Sequence, residues 1–446
     1  MRQPARRLPA LLALLLATTA SAPVAAAGNP LATRDQLRLE REAARLLATP
    51  EVRAAEADVR RAFAALPFAA TAEGAATLDA SAHEVAFAGV EDSLDRDGAH
   101  PRTFWVWSPA HRWFGLATPR AKVLMPNADN VFRILPVDAA SRYRLTLTRT
   151  GPEPTQLSLQ LLPSLPGEAD WSEVIAQRVD SDLTRAPDGR IVITVGPEAG
   201  EANHVATTAG SRFLLLRDTI QDWTRERPYR LTVQRLNGPV ATTSAVPGKP
   251  EASAQAAADL IRAIVSRVLA ARDGGFGRSD GFFSGPANTL APPRVREGGR
   301  WGLSASGHFQ IADDEALLIT LDPAGAAYLS VQLANGWLGS LDYLGHTASL
   351  NLAQSRPNPD GTVTFVAAAR DPGAANWLDT TGLHEGSLFA RWQKFPGPVA
   401  AQAQAVREVR LVRIADLPAD LPRLTPAQRR AQVAARVAGY GTRFAR

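Results

Sequence analysis

The chain has 446 residues, 45% of them hydrophobic, a formal net charge of +5 and no cysteine. The missing cysteine excludes disulfides, thiol nucleophiles, thiolate metal sites and lipid attachment through sulfur. Three of the positive charges are Arg2, Arg6 and Arg7; without them 46 basic residues face 44 acidic ones, a balance that gives no electrostatic footprint for nucleic acid.

Those arginines precede an apolar run from Leu8 to Ala20, and Ala25-Ala26-Ala27 follows as a small-residue cleavage site before Gly28. This is the three-part pattern of a secretory signal peptide. The run is about a dozen residues, short of the roughly 20 that a spanning helix needs. Residues 1–27 are therefore expected to be a leader, and the rest an exported protein, periplasmic or extracellular, with no transmembrane segment.

Residues 28–70 read as two N-terminal helices. Leu37, Glu40, Ala44 and Leu47 mark the first loosely. For the second, Thr49 is the expected N-cap, Pro50 the first helical residue, and Val52, Val59, Phe63 and Leu66 fall on one face before Pro67 stops it. Beyond, over 71–237, the hydrophobic period becomes two. Tyr143, Leu145 and Leu147 alternate with Arg144, Thr146 and Thr148, and similar runs recur at 157–161, 191–195 and 231–234. Such a series predicts antiparallel sheet with one solvated face, in a β-sandwich or jelly-roll-like module. Residues 238–274 read as a Gly-, Pro- and Ser-rich linker followed by a helix at 254–272, with Leu260, Ile261, Ile264, Val265 and Val268 on its apolar face. Strands return over 275–415. Residues 416–446 hold a last helix, opened by Thr425-Pro426 and carrying Val433 and Val437, and a basic tail.

The second run of strands echoes the first. LSLQL at 157–161 becomes LSVQL at 329–333; Pro187-Asp188-Gly189 becomes Pro359-Asp360-Gly361; NHVATT at 203–208 becomes NWLDTT at 376–381; Arg217 becomes Arg391. The order is kept and the offset stays near 172. That period is too long for a solenoid and fits two copies of one domain. The expected fold is mainly β: two duplicated sandwich modules with peripheral helices.

Residues 300–396 also resemble the family called domain of unknown function 1214. The resemblance is carried by YLSVQLANGWLGSLDY, the Ser349-Leu350-Asn351 strand start, the Asn358-to-Gly361 turn, and NWLDTTG followed by a strand ending in ARWQ. It implies a β-sandwich. The family carries no established catalytic residues, so it implies no activity.

Features present in one copy only are the better candidates for function. Asp342 beside Tyr343 and Asp379 beside Trp377 are candidate acid–base carboxylates, since an aromatic neighbour desolvates a carboxyl and raises its pKa. Trp337, Asp342, Tyr343, Asn376, Trp377 and Asp379 are the candidate lining of a groove for a sugar or small apolar molecule, where rings give an apolar floor and the polar groups give direction. Trp392, in period with Leu388 and Ala390, is expected in the core. The scattered histidines lack metal-ligand spacing; Asp92, Asp95 and Asp97 lack that of a calcium loop and read as a solvated turn; His384-Glu385 reads as surface loop. No phosphate loop occurs, and Gly302–Gly307 misplaces the glycine a nucleophilic serine needs. No metal or cofactor is expected. The sequence thus leaves a binding module, a carboxylate-based hydrolase or isomerase, and a structural envelope protein as its three readings.

Overall fold

The computed structural model describes residues 28–165, 168, 173–198, 202–238, 253–274, 281–296, 302–397, 399 and 403–444; the expected leader lies outside them. The N-terminal part holds three helices, α1 (Arg34–Leu47), α2 (Pro50–Ala64) and α3 (Ala72–Ser93). The first module then runs through β1 (Phe104–Val106), β2 (His111–Trp113), β3 (Leu116–Thr118), β4 (Asn130–Pro136), β5 (Arg142–Thr148), β6 (Gln156–Leu162), β7 (Ala176–Val179), β8 (Ile191–Gly196), β9 (His204–Ala206), β10 (Phe213–Thr219) and β11 (Arg230–Asn237). After α4 (Ala254–Asp273) the second module has β12 (Thr289–Leu290), β13 (Arg294–Arg296), β14 (Gly302–Gln310), β15 (Glu315–Leu321), β16 (Tyr328–Ala334), β17 (Ser349–Asn351), β18 (Val363–Ala368), β19 (Trp377–Asp379), β20 (Glu385–Gln393) and β21 (Val406–Arg413), and α5 (Pro426–Gly441) closes the chain.

Each module is a sandwich of two sheets. In the first, β1-β4-β10-β6-β7 faces β11-β5-β8-β9; in the second, β12-β14-β20-β16-β17 faces β21-β15-β18-β19. From β4 and β14 onward the two strand orders coincide. Both even break the antiparallel pattern at the same place, with β8–β9 and β18–β19 parallel. Each sandwich has its own core: Leu145, Leu159, Ile193 and Leu216 in the first, Leu317, Leu329, Phe365 and Trp392 in the second.

Three expectations need correction. The first module does not begin at residue 71, because α3 occupies 72–93. That helix is buried at every residue from Glu84 to Ser93, so it lacks the one-sided pattern by which a surface helix is read. Nor are the helices all peripheral. The apolar cluster that holds α2, α3 and α4 takes in Phe132, Ile134 and Leu215 of the first module and Ala334, Trp337 and Leu338 of the second, so the helical layer lies between the two. α3 and α4 approach so closely that a Cβ on Gly89 would stand 2.9 Å from the Cα of Ile261. Finally, the solvated sheet face exists only on strands such as β5 and β11; β4, β6, β10, β16 and β18 are buried on both faces.

Smaller differences follow the same logic. α1 buries Glu40 of the expected stripe, but its apolar contacts are Leu39, Ala43 and Leu46, each one position before an expected residue. Thr49 donates to the carbonyl of Leu46 at 2.7 Å and so closes α1 instead of capping α2. α5 does open on a capping box from Thr425 and Gln428, but it buries Arg429, Arg436 and Tyr440 and leaves Val437 half exposed.

Candidate functional site

Period-two geometry assigns the faces of the strands. On β10, Leu214 and Leu216 enter the sandwich core, so Phe213, Leu215, Arg217 and Thr219 face outward; on β6, Gln156, Ser158 and Gln160 do the same. On β20 and β16 the outward residues are Ser387, Phe389, Arg391 and Gln393, and Tyr328, Ser330 and Gln332. The apolar ones, with Phe132 and Ile134, lie under the helices. The polar ones are buried too: Gln156, Ser158, Gln160, Ser330, Gln332 and Gln393 are each at most 2% exposed. The two sandwiches therefore meet along a polar seam.

Contacts cross it. Asp129, fully buried just before β4, accepts from Tyr328 Oη at 2.6 Å, Trp223 Nε1 at 2.7 Å and Asn351 Nδ2 at 2.9 Å. Asn127 donates to Tyr328 at 2.8 Å, and Gln332 accepts from the Ala128 amide at 2.9 Å. Lys394 pairs with Asp180. Burial pushes the Asp129 carboxyl up despite its three donors, and burial beside that carboxylate pushes the Tyr328 phenol well above its ordinary value. The Lys122–Met125 segment joins the 335–340 hairpin of the second module: Met125 N donates to Leu338 O at 3.1 Å and Ser340 N to Lys122 O at 3.0 Å. Leu124, Met125 and Leu338 all hold positive φ, 61°, 55° and 59°, a conformation that non-glycine residues keep only where the surroundings over-determine it.

The seam also holds polar atoms with no protein partner: both amide atoms of Asn130 and Gln393, Oε1 of Gln156 and Nε2 of Gln160. Asn130, Thr219 and Gln156 form one row across β4, β10 and β6, and Gln393 lies next to Lys394 on the facing sheet. Buried amides are normally satisfied. Unsatisfied amides can bind hydroxyl and carboxylate oxygens.

The residues singled out from the sequence are not one groove. Trp337 is 1% exposed, stacked 4.9 Å from Phe63, with its indole N–H on Thr77 at 3.0 Å. Tyr343 is buried 6.4 Å from Trp223 in a separate aromatic cluster. Asp342 is exposed and accepts from the amides of Leu344 and Gly345, a loop-closing role. Asn376 accepts from Arg356 N at 2.8 Å and donates to Arg356 O and Thr364 O; Asn203 makes the same three bonds to Thr184 N, Thr184 O and Val192 O. Trp377 donates to Ala368 O at 2.9 Å where His204 meets Gly196 O at 3.1 Å. Trp377 thus closes the strand pair of the second module as His204 closes that of the first. Asp379 orients His346, Oδ2 to Nδ1 at 2.7 Å, and accepts from Thr381 N. The His346 side chain is 45% exposed.

Other expectations resolve individually. Trp392 is in the core, as expected. Asp92 and Asp95 are buried, not solvated, and no cluster with metal-ligand composition occurs among the described residues. His384 is clasped between Glu73 and Asp313, which hold its imidazole above the usual range. No helix among the described residues is long and apolar enough to cross a membrane.

Comparison with known proteins places the fold and nothing more. An uncharacterised protein of Burkholderia cenocepacia is 25% identical, aligns over 84% of this chain and 100% of its own, and superposes with a TM-score of 0.68. It shares the β-rich architecture. A protein of Vibrio parahaemolyticus, 12% identical over 65% of this chain and 89% of its own, reaches a TM-score of only 0.37, too little to argue from. No family model and no curated protein matches the chain.

Proposed function

We propose that this chain is an exported binding protein and that its ligand lodges in the polar seam between the two sandwiches. The ligand is a small, oxygen-rich molecule such as a sugar or sugar acid. The observation that carries this reading is the set of buried amide atoms without a protein partner, both of Asn130 and Gln393 and one each of Gln156 and Gln160. Amides left without partners at the meeting of two rigid bodies cost stability, and a ligand whose hydroxyls satisfy them returns it. An apolar ligand has less support, because Trp337 and Tyr343 serve as packing. Acid–base chemistry through Asp342 and Asp379 has less support too, because each closes its own loop. Export rests on the leader. We further infer that the modules are two copies of one ancestral domain; the shared strand order, the equivalent bonds of Asn203 and Asn376, and the turns at Gly189 and Gly361, both at positive φ, support this. The resemblance of residues 300–396 to domain of unknown function 1214 stays part of the proposal on its residues alone.

The test is a thermal-shift screen of the leader-free chain against sugars, sugar acids and polyols, because a ligand that binds only the folded state raises the melting temperature. The reading expects a hit that Gln393→Met abolishes. It fails if no such compound moves the transition while Gln393→Met alone raises it, since the amide would then be a burden with no ligand to satisfy.

A further inference from the structure

We propose a binding site for one small oxyanion beneath the C-terminal helix, formed by Arg436 and Arg443. Two helical turns take about seven residues, so Arg429, Arg436 and Arg443 share one face of α5 and its continuation, and all three are buried. They are not equivalent. Arg429 meets the carboxylate of Asp371 at 3.0 Å. Arg436 meets neutral oxygens, Gln354 Oε1 at 2.8 Å and Tyr343 O at 2.7 Å, and Arg443 meets Ala128 O at 3.2 Å. Arg436 Nε and Arg443 Nη2 are buried without a protein partner.

The two guanidinium groups stand over one ring, 4.7 Å and 5.6 Å from the centre of Trp223. A third cation is close to the same aromatic cluster: Lys122 Nζ lies 4.5 Å from the Tyr343 ring and donates to Leu341 O at 2.7 Å. Ring faces and carbonyls soften a buried cation without neutralising it. Asp129, whose two oxygens already serve Tyr328, Trp223 and Asn351, and Asp342 are the carboxylates that act on Arg436, while Glu84 and Asp342 act on Lys122. Burial pushes Arg436 down to about 10 and Lys122 down to about 8, against the attraction of the neighbouring carboxylates. An oxyanion that accepts from Arg436 Nε and Arg443 Nη2 gives both buried donors a partner. Sulfate, phosphate and a carboxylate share this chemistry. The site is independent of the sugar-like ligand proposed for the seam.

Equilibrium dialysis of the leader-free chain against labelled sulfate, phosphate and acetate, at one ionic strength set with chloride, tests the site without any variant. One saturable equivalent per chain is expected, and which anion binds separates an inorganic occupant from a carboxylate. Arg443→Gln and Arg436→Gln should each weaken binding at least tenfold, and the anion should raise the melting temperature of the native chain saturably, unlike a general salt effect, which keeps growing with concentration. Absence of saturable binding to all three anions overturns the proposal, as does binding that both variants leave unchanged. The arginines would then be carbonyl clamps for the helix.

Discussion

Asp92 sits at the buried end of α3, and burial pushes its carboxyl up to about 7, against the attraction of Arg96. The folded chain keeps a proton that the unfolded chain, with an ordinary value of 3.8, releases. Stability held by that proton is complete below pH about 4 and is lost as the pH rises towards 7. Glu91 beside it, also pushed up by burial, and Asp218, pushed up to about 6, act in the same direction. Asp92→Asn keeps the neutral shape at every pH. Its melting temperature should therefore fall less between pH 5 and 8 than that of the native chain; parallel curves would contradict the assignment. Asn376 allows a second test. Asn376→Ala strips partners from the Arg356 amide and from two carbonyls, so it should cost about 1–3 kcal/mol in denaturant unfolding. Asn203→Ala should cost a similar amount, because the bonds are the same.

At the scale of elements, the contact between α3 and α4 gives a prediction of unusual sign. A helical Gly→Ala change normally stabilises by roughly 1 kcal/mol. At Gly89 the new methyl would meet the backbone of Ile261 at 2.9 Å, so Gly89→Ala should lower the melting temperature. Trp337 joins the hairpin of the second module to α2, and Trp337→Ala should cost about 3–5 kcal/mol; a smaller loss would revive its reading as a ligand platform. These elements also show what the sequence could tell. The strands with one wet face, β5 and β11, could be read by alternation, α4 by its apolar face and the start of α5 by its cap. α3 could not, because a helix buried all round has no stripe. The seam could not either: Ser158 and Gln160 look solvent-facing in LSLQL, as does Gln156 just before it, yet all three are buried. NADNVFR, from Asn127 to Arg133, has the composition of a polar turn. Its acidic residue is the centre of the seam, and the clue available was its density of polar residues directly before a strand.

For the whole molecule, two sandwiches and a helical layer pack against one shared apolar cluster, which predicts a single cooperative body. Tyr328→Phe removes a hydroxyl that bonds Asp129, Asn127 and Ser330, and leaves a buried carboxylate short of a donor. It should lower the melting temperature without splitting the transition, since the helical layer still joins the modules; two separate transitions would show that the modules are independent. The central claim is that the seam is a ligand site. Its most direct test is the melting temperature of the native chain and of Gln393→Met, each titrated with the sugar or sugar acid that screening selects. The account predicts a saturable rise in the native chain and none in the variant. An equal rise in both would put the ligand elsewhere and contradict it.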